Sequence, residues 1–115
     1  MAFALCQWKQ EVDDFLEDIG PGLSARAVTL LEKLGEHGSK LPQSKALGTG
    51  LFELKVDHKG RALRFFYVFW KGSIVVLKCL DKKTQKIPDE LLKQLKDRKR
   101  LVEKEEAPLG KYPVH

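Results

Sequence analysis

The sequence predicts an α+β domain: a small, antiparallel-rich four-stranded sheet packed against an N-terminal helical hairpin and followed by a C-terminal helix. Three observations carry this expectation. Apolar residues recur at helical spacing along two stretches on either side of Gly20-Pro21-Gly22. Three strand-like runs follow between Leu51 and Leu80, separated by short turns. Helical periodicity then returns behind Pro88, a residue suited to the first position of a helix. Residues 1–104 are expected to form a single domain in the order β-α-α-β-β-β-α. Residues 105–115, with Pro108, Gly110 and Pro113, are expected to be a flexible tail.

Taken in order, Phe3 to Trp8 reads as a first strand that joins the sheet as an edge or a neighbour. Trp8, Val12, Phe15, Leu16 and Ile19 mark the apolar stripe of a first helix, and Gly20-Pro21-Gly22 ends it. Leu23, Ala27, Leu30, Leu31 and Leu34 make a second stripe, with Gly35 and Gly38 as stop signals. Two short amphipathic helices joined this tightly form an αα-hairpin. Ser39 to Gly50 reads as a polar loop. In Leu51 to Asp57, Phe52, Leu54 and Val56 alternate with Glu53 and Lys55. Asp57-His58-Lys59-Gly60 is a hairpin turn. Ala62 to Trp70 is apolar almost throughout, as in a strand buried on both faces, and Arg64 is its one interior charge. Lys71-Gly72 makes the next turn. Ile74 to Leu80 is rich in β-branched residues, with Lys78 the exception. Lys82-Lys83-Thr84-Gln85-Lys86 is a basic loop. The last helix carries Asp89 and Glu90 in its first turn and Lys96, Arg98, Lys99 and Arg100 near its end, which matches the helix dipole.

Composition bounds the function. The 115 residues are 43% hydrophobic and 32% charged, enough apolar material for one core and too much for a disordered chain. No apolar run approaches the ~20 residues that span a bilayer. Met1 to Cys6 is too short for the core of a signal peptide and lacks a basic start. The expected location is therefore cytoplasmic, with no membrane partner. Cys6 and Cys79 lie in apolar contexts with no second ligand at metal-binding spacing, so both read as reduced core thiols, and neither metal nor cofactor is expected. Charge is distributed unevenly. Residues 1–50 hold five Lys and Arg against seven Asp and Glu, net −2. Residues 51–115 hold sixteen against nine, net +7. A basic half of this kind points to a polyanion, nucleic acid first.

Alternation places Glu53 and Lys55 on one face of their strand. Arg64 lies on the strand paired with it, and Lys82, Lys83 and Lys86 lie just past the end of the third. These side chains are expected to meet on an open face of the sheet as a concave cationic floor, with Lys59, Arg61, Lys78 and Lys86 as further contacts for RNA. Tyr67 faces the side opposite Arg64. Such a floor suits RNA cleavage by internal attack of a 2′-OH on the adjacent phosphate. That reaction needs a base for the 2′ proton, positive charge on the phosphorane and an acid for the departing 5′ oxygen. Glu53 can serve as base, or a lysine whose pKa neighbouring cations lower. Arg64 offers a planar fork to two phosphate oxygens. Lys55, Lys82 and Lys83 can supply charge or the acid. The other reading of Arg64 is an ion pair with Glu53 across the strands, and the two readings are compatible. His58 sits in a turn, where histidines are usually idle.

Three segments carry a resemblance. Lys45-Ala46-Leu47-Gly48-Thr49-Gly50-Leu51-Phe52-Glu53-Leu54-Lys55 resembles the K-x-L-x-x-G-L-x-E-L-R segment of the phage-derived HigB-like toxins. Arg64-Phe65-Phe66-Tyr67 resembles their R-v-f-Y strand. Lys82-Lys83-Thr84-Gln85-Lys86-Ile87-Pro88 resembles the K-K-[ST]-x-k-x-P signature before their last helix. Lys55 stands where an arginine is usual, which keeps the charge and loses the fork. Lys78-Cys79-Leu80 stands in place of a histidine, a small residue and a phenylalanine. The resemblance covers roughly Phe3 to Lys104 and implies a RelE-like fold within the RelE/ParE superfamily. It implies a type II toxin–antitoxin toxin that cleaves mRNA on the translating ribosome. Its antitoxin would often be a helix-turn-helix protein encoded alongside. Lys55, Arg64 and the Lys82–Lys83 pair occupy the matching active-site positions. Two other readings stand beside it: a ParE-like inhibitor of DNA gyrase, and a non-catalytic nucleic-acid-binding module using the same basic face.

Overall fold

A computed structural model describes residues 3–81 and 86–115. The strands are β1 (Ala4–Trp8), β2 (Ser44–Gly48), β3 (Leu51–His58), β4 (Arg61–Trp70), β5 (Ser73–Asp81) and β6 (Leu109–Lys111). The helices are α1 (Glu11–Asp18), α2 (Pro21–His37) and α3 (Asp89–Glu103). One mixed sheet runs in the order β2-β3-β4-β5-β1-β6. β1 is parallel to β5 and antiparallel to β6, and β2 to β5 form an antiparallel meander. The α+β class agrees with expectation. The four-stranded sheet does not, because β2 and β6 extend it to six strands.

Both added strands fall where the sequence reads as loop or tail. β2 is a short edge strand whose Lys45 and Ala46 are exposed, so it carries none of the apolar alternation that marks a half-buried strand. Its turn is the better signal. Thr49-Gly50 joins β2 to β3, as Lys59-Gly60 joins β3 to β4 and Lys71-Gly72 joins β4 to β5, and all six residues have positive φ. Two-residue loops left-handed at both positions match the twist of the strands they connect. The expected flexible tail is docked instead. β6 pairs with β1, and the Lys9 N–H donates to the Pro108 carbonyl at 2.7 Å. Gly110 is required there, since a Cβ at that position would lie 2.7 Å from the Lys9 carbonyl oxygen.

The sheet is covered on both faces. The helical hairpin of α1 and α2 packs Val12, Leu16, Ala27, Leu30, Leu31 and Leu34 onto Leu54, Val56, Leu63, Phe65, Tyr67 and Val76. On the other face α3 packs Leu95 and Val102 onto Leu51, Phe66, Val68, Val75 and Leu77. Trp8 lies under α3, not on the stripe of the first helix, because it ends β1 with its ring toward that face.

A buried glutamine joins the ends of the chain. Gln7, with no exposed surface, accepts the Val12 and Asp13 N–H groups at 2.8 and 3.0 Å. These are orphan donors of the first turn of α1, so Gln7 caps that helix from the preceding strand. Its Nε2 donates to Asp13 at 2.5 Å and to the Lys111 carbonyl at 2.8 Å, and the Val114 N–H donates to Asp13 at 3.0 Å. Gln7→Ala is expected to cost about 3 kcal/mol, the sum of a lost cap and stranded buried partners. Urea denaturation measures it, and a loss under ~0.5 kcal/mol, the range of an ordinary surface change, would remove Gln7 from this role.

Candidate functional site

The site is built from the residues of β2 to β5 that face α3. Residues directly opposite in an antiparallel pair share a face. Lys45, Glu53, Phe66 and Lys78 are successive partners across β2, β3, β4 and β5. Lys55, Arg64 and Leu80 form the neighbouring row. Lys78 reaches this face through a bulge. Phe66 pairs with Lys78 and Tyr67 with Val76, so Leu77 is the extra residue and the parity of β5 changes there. Upstream of the bulge Val75 faces α3, and downstream Lys78 and Leu80 do. Arg98 of α3 donates to the Leu77 carbonyl at 2.6 Å, holds Glu11 through bonds of 2.8 and 3.3 Å, and lies 4.4 Å from the centre of the Trp8 ring. The helix is thus pinned to the bulge.

Two of the charged residues are buried. Glu53 and Arg64 are each 5% exposed, and the Arg64 Nε–H donates to Glu53 Oε2. The guanidinium carbon stands 5.3 Å from the centre of the Phe66 ring. Leu91, Leu92 and Leu95 of α3 pack with Phe66 and Leu80 beside them. The face expected to be open is therefore partly covered by α3. Lys55, directly opposite Arg64, keeps 41% of its side chain exposed, and its ammonium lies 4.0 Å from Asp57 at the rim. Lys45 is exposed and Lys78 half-buried. Four cations and Glu53 leave a net charge of +3 on this face, or +2 with Asp57 included.

Each expected site residue can be placed. Glu53, Lys55, Arg64 and Lys78 come together. Arg61 does not join them: it alternates with Leu63 and Phe65, faces the helical hairpin, and its guanidinium is paired with Asp81. His58 lies on that side as well. Lys59 sits in the β3–β4 turn with φ 49°, and Lys86 is exposed ahead of α3. Lys82 and Lys83 lie outside the described residues, as do Thr84 and Gln85 of the same loop. Lys45 was missed as a site residue because its segment reads as loop, although it opens the first motif. Tyr67 is fully buried on the hairpin side as expected. Its hydroxyl bonds to Ser44, and burial raises its pKa.

The fold and site define a compact α+β domain carrying a cationic face built across four adjacent strands. Its family follows from comparison. The model for the family described as "Phage derived protein Gp49-like (DUF891)" matches residues 14–100, well over half of the chain. The chain belongs to this family, which is toxin-like and related to RelE and HigB. No curated protein and no solved structure is a match. No helix among the described residues is long and apolar enough to cross a membrane.

Two outcomes test the site as described. Arg64→Ala strands a buried carboxylate and is expected to cost about 3–5 kcal/mol, whereas Arg64→Met combined with Glu53→Leu recovers most of the loss. A double variant no more stable than Arg64→Ala, in urea or thermal unfolding, contradicts the pairing. The second outcome concerns Cys79, on the opposite face from Lys78. Burial, and secondarily the Glu11 carboxylate, push its thiol from 9.0 up to about 12, against Lys78 and Arg98. Its neutral form is favoured in the fold, so its contribution is fully present below pH 9 and is lost as pH rises toward 12. At pH 8 Cys79 should resist iodoacetamide until the chain unfolds. Rapid labelling of the native protein at Cys79 would contradict this.

Proposed function

We propose that this protein is the toxin of a type II toxin–antitoxin pair, an endoribonuclease that cleaves translated mRNA. The observation that carries this reading is the gathering of Lys45, Lys55, Arg64 and Lys78 from four neighbouring strands in two register rows of one face. Membership in a toxin-like family supports it. A phosphodiester set against that face meets exposed ammonium groups above a guanidinium fixed in low dielectric, where its charge acts more strongly than in water.

The chemistry is internal transfer. The 2′ oxygen bonds to phosphorus as its proton passes to a base, the bond from phosphorus to the 5′ oxygen breaks, and an acid protonates that oxygen. The products are a 2′,3′-cyclic phosphate and a 5′-hydroxyl end. Lysines and an arginine suffice for charge stabilisation, so the reaction needs no metal. Lys82 and Lys83, which follow β5 directly in sequence, would extend the cationic set toward the substrate. The partner that silences it is an antitoxin, a small helix-turn-helix protein encoded next to it, and the target is mRNA on the ribosome in the cytoplasm.

The test uses half-exposed residues, since substitution of Arg64 also disturbs the fold. On induction in cells, RNA 5′-end mapping should reveal new hydroxyl ends within translated messages. Lys55→Gln or Lys78→Gln should lower cleavage at least ~10-fold, the loss of about 1.4 kcal/mol of transition-state stabilisation, without loss of folded protein. Chelators should leave cleavage unchanged, and the adjacent gene product should abolish it. Intact messages with accumulated DNA breaks would replace this reading with gyrase inhibition. Growth arrest by neither route would leave a nucleic-acid-binding module.

A further inference from the structure

We infer that Gln43 recognises ribose: its side-chain carbonyl accepts the 2′-hydroxyl of a nucleotide whose phosphate lies between Lys45 and Lys55. The inference takes the cationic face as the seat of RNA from the reading above, and adds the group that tells RNA from DNA there. It starts from an acceptor with nothing to accept. Gln43 Oε1 is sealed from water, and among the described residues it is the one buried side-chain oxygen or nitrogen without a hydrogen-bond partner. Buried polar atoms are nearly always paired, because a stranded one carries the whole cost of leaving water. An exception at a binding face points to a donor supplied from outside.

Its place in the sheet says which donor. Gln43 precedes β2, and its backbone carbonyl accepts the Lys55 N–H at 3.0 Å, which continues the pairing of Ser44 with Leu54. Gln43 is therefore directly opposite Lys55. Ser44 turns to the hairpin side, where its hydroxyl meets Tyr67, so Gln43 and Lys45 on either side of it share the site face. Cross-strand neighbours stand about 5 Å apart, and alternate residues of a strand about 7 Å apart. A neutral amide is thus set one side-chain spacing from two ammonium groups that reach solvent: Lys45 is exposed, and Lys55 keeps 41% of its side chain exposed. A ligand that fills this arrangement carries an anion with an uncharged donor close beside it. In RNA the 2′-hydroxyl next to a 3′-phosphate is that pair, the base edges lie farther off, and DNA lacks the hydroxyl. Gln43 as a residue is only half-buried, and it flanks an edge strand. A turn of its side chain brings the oxygen to a ligand and breaks no hydrogen bond of that oxygen. An amide carbonyl takes no proton, so the role is recognition, and the proton of the cleavage step goes to another group.

Adenosine 3′-monophosphate and 2′-deoxyadenosine 3′-monophosphate provide the test on the whole protein. They differ in the hydroxyl alone, and neither has a following nucleotide to lose. NMR titration of isotope-labelled protein gives both affinities. Wild type should bind the ribose form about 5-fold more tightly, the gain of one hydrogen bond, with the Gln43 side-chain amide signal shifting more for that form. Gln43→Leu removes the stranded acceptor and keeps the bulk. It should bring the ratio to unity, leave the affinity for the deoxy form unchanged, and unfold at no lower urea concentration than wild type. Equal wild-type affinities would overturn the inference, as would a preference that survives in Gln43→Leu. A large loss of stability in Gln43→Leu would overturn it too, since the oxygen would then have a partner within the fold. Cleavage of a short RNA, followed in parallel, separates this result from the nuclease. A protein that prefers the ribose form and cuts nothing keeps Gln43 as a ribose contact and loses the nuclease. One that cuts RNA without the preference keeps the nuclease and loses the inference.

Discussion

A sheet covered on both faces leaves the middle of its central strands little access to water, and that constraint governs the buried charges on β3 and β4. Arg64 sits near the start of a strand otherwise apolar along its length, with α3 packed over its face. An isolated guanidinium there is prohibitively costly, so its partner has to be in the fold and within reach. Glu53, one register row away on the neighbouring strand, meets that need. The two define the site together. The register of β3 against β4 sets Glu53 one row from Arg64, and the apolar packing of α3 covers the pair.

Much of this was legible in the residues. The helical hairpin, the three long strands and α3 each bury a face through a clear period, and tertiary contacts reinforce the local preference. Glu53, Lys55 and Arg64 could be placed on one face by alternation alone. What alternation missed has a physical cause in each case. β2 and β6 are short edge strands held by backbone pairing, which leaves no side-chain period. Trp8 ends a strand next to a helix, where the two periods overlap. Arg61 was grouped with Arg64 although they are three apart, an odd spacing that sends them to opposite faces. The bulge at Leu77 is a backbone event, and no residue type around it announces it. It nevertheless puts Lys78 into the site. Arg98 looked like a cation at the end of a helix dipole. Its position under the bulge, with Glu11 and Trp8, is a long-range fact.

The molecule is electrically divided in keeping with this layout. The acidic half supplies α1 and the hairpin cover, and the basic half supplies α3 and, Lys45 apart, the cations of the face under it. A polyanion approaching from solution is drawn to one side and repelled from the other, so orientation is partly selected before contact.

Strand β1 is the earliest part of the sheet to leave the ribosome, yet its hydrogen-bonding neighbours are β5 and β6. Gln7 likewise waits for the carbonyl of Lys111. While the intervening segments are made, β1 has no permanent partner on either side. Contacts this distant along the chain are late to form. Each strand of the β2 to β5 meander pairs with the next in sequence, but the seam between β1 and β6 can close only after synthesis has passed Lys111. A chain synthesised only as far as α3 therefore lacks both β6 and the carbonyl that Gln7 holds.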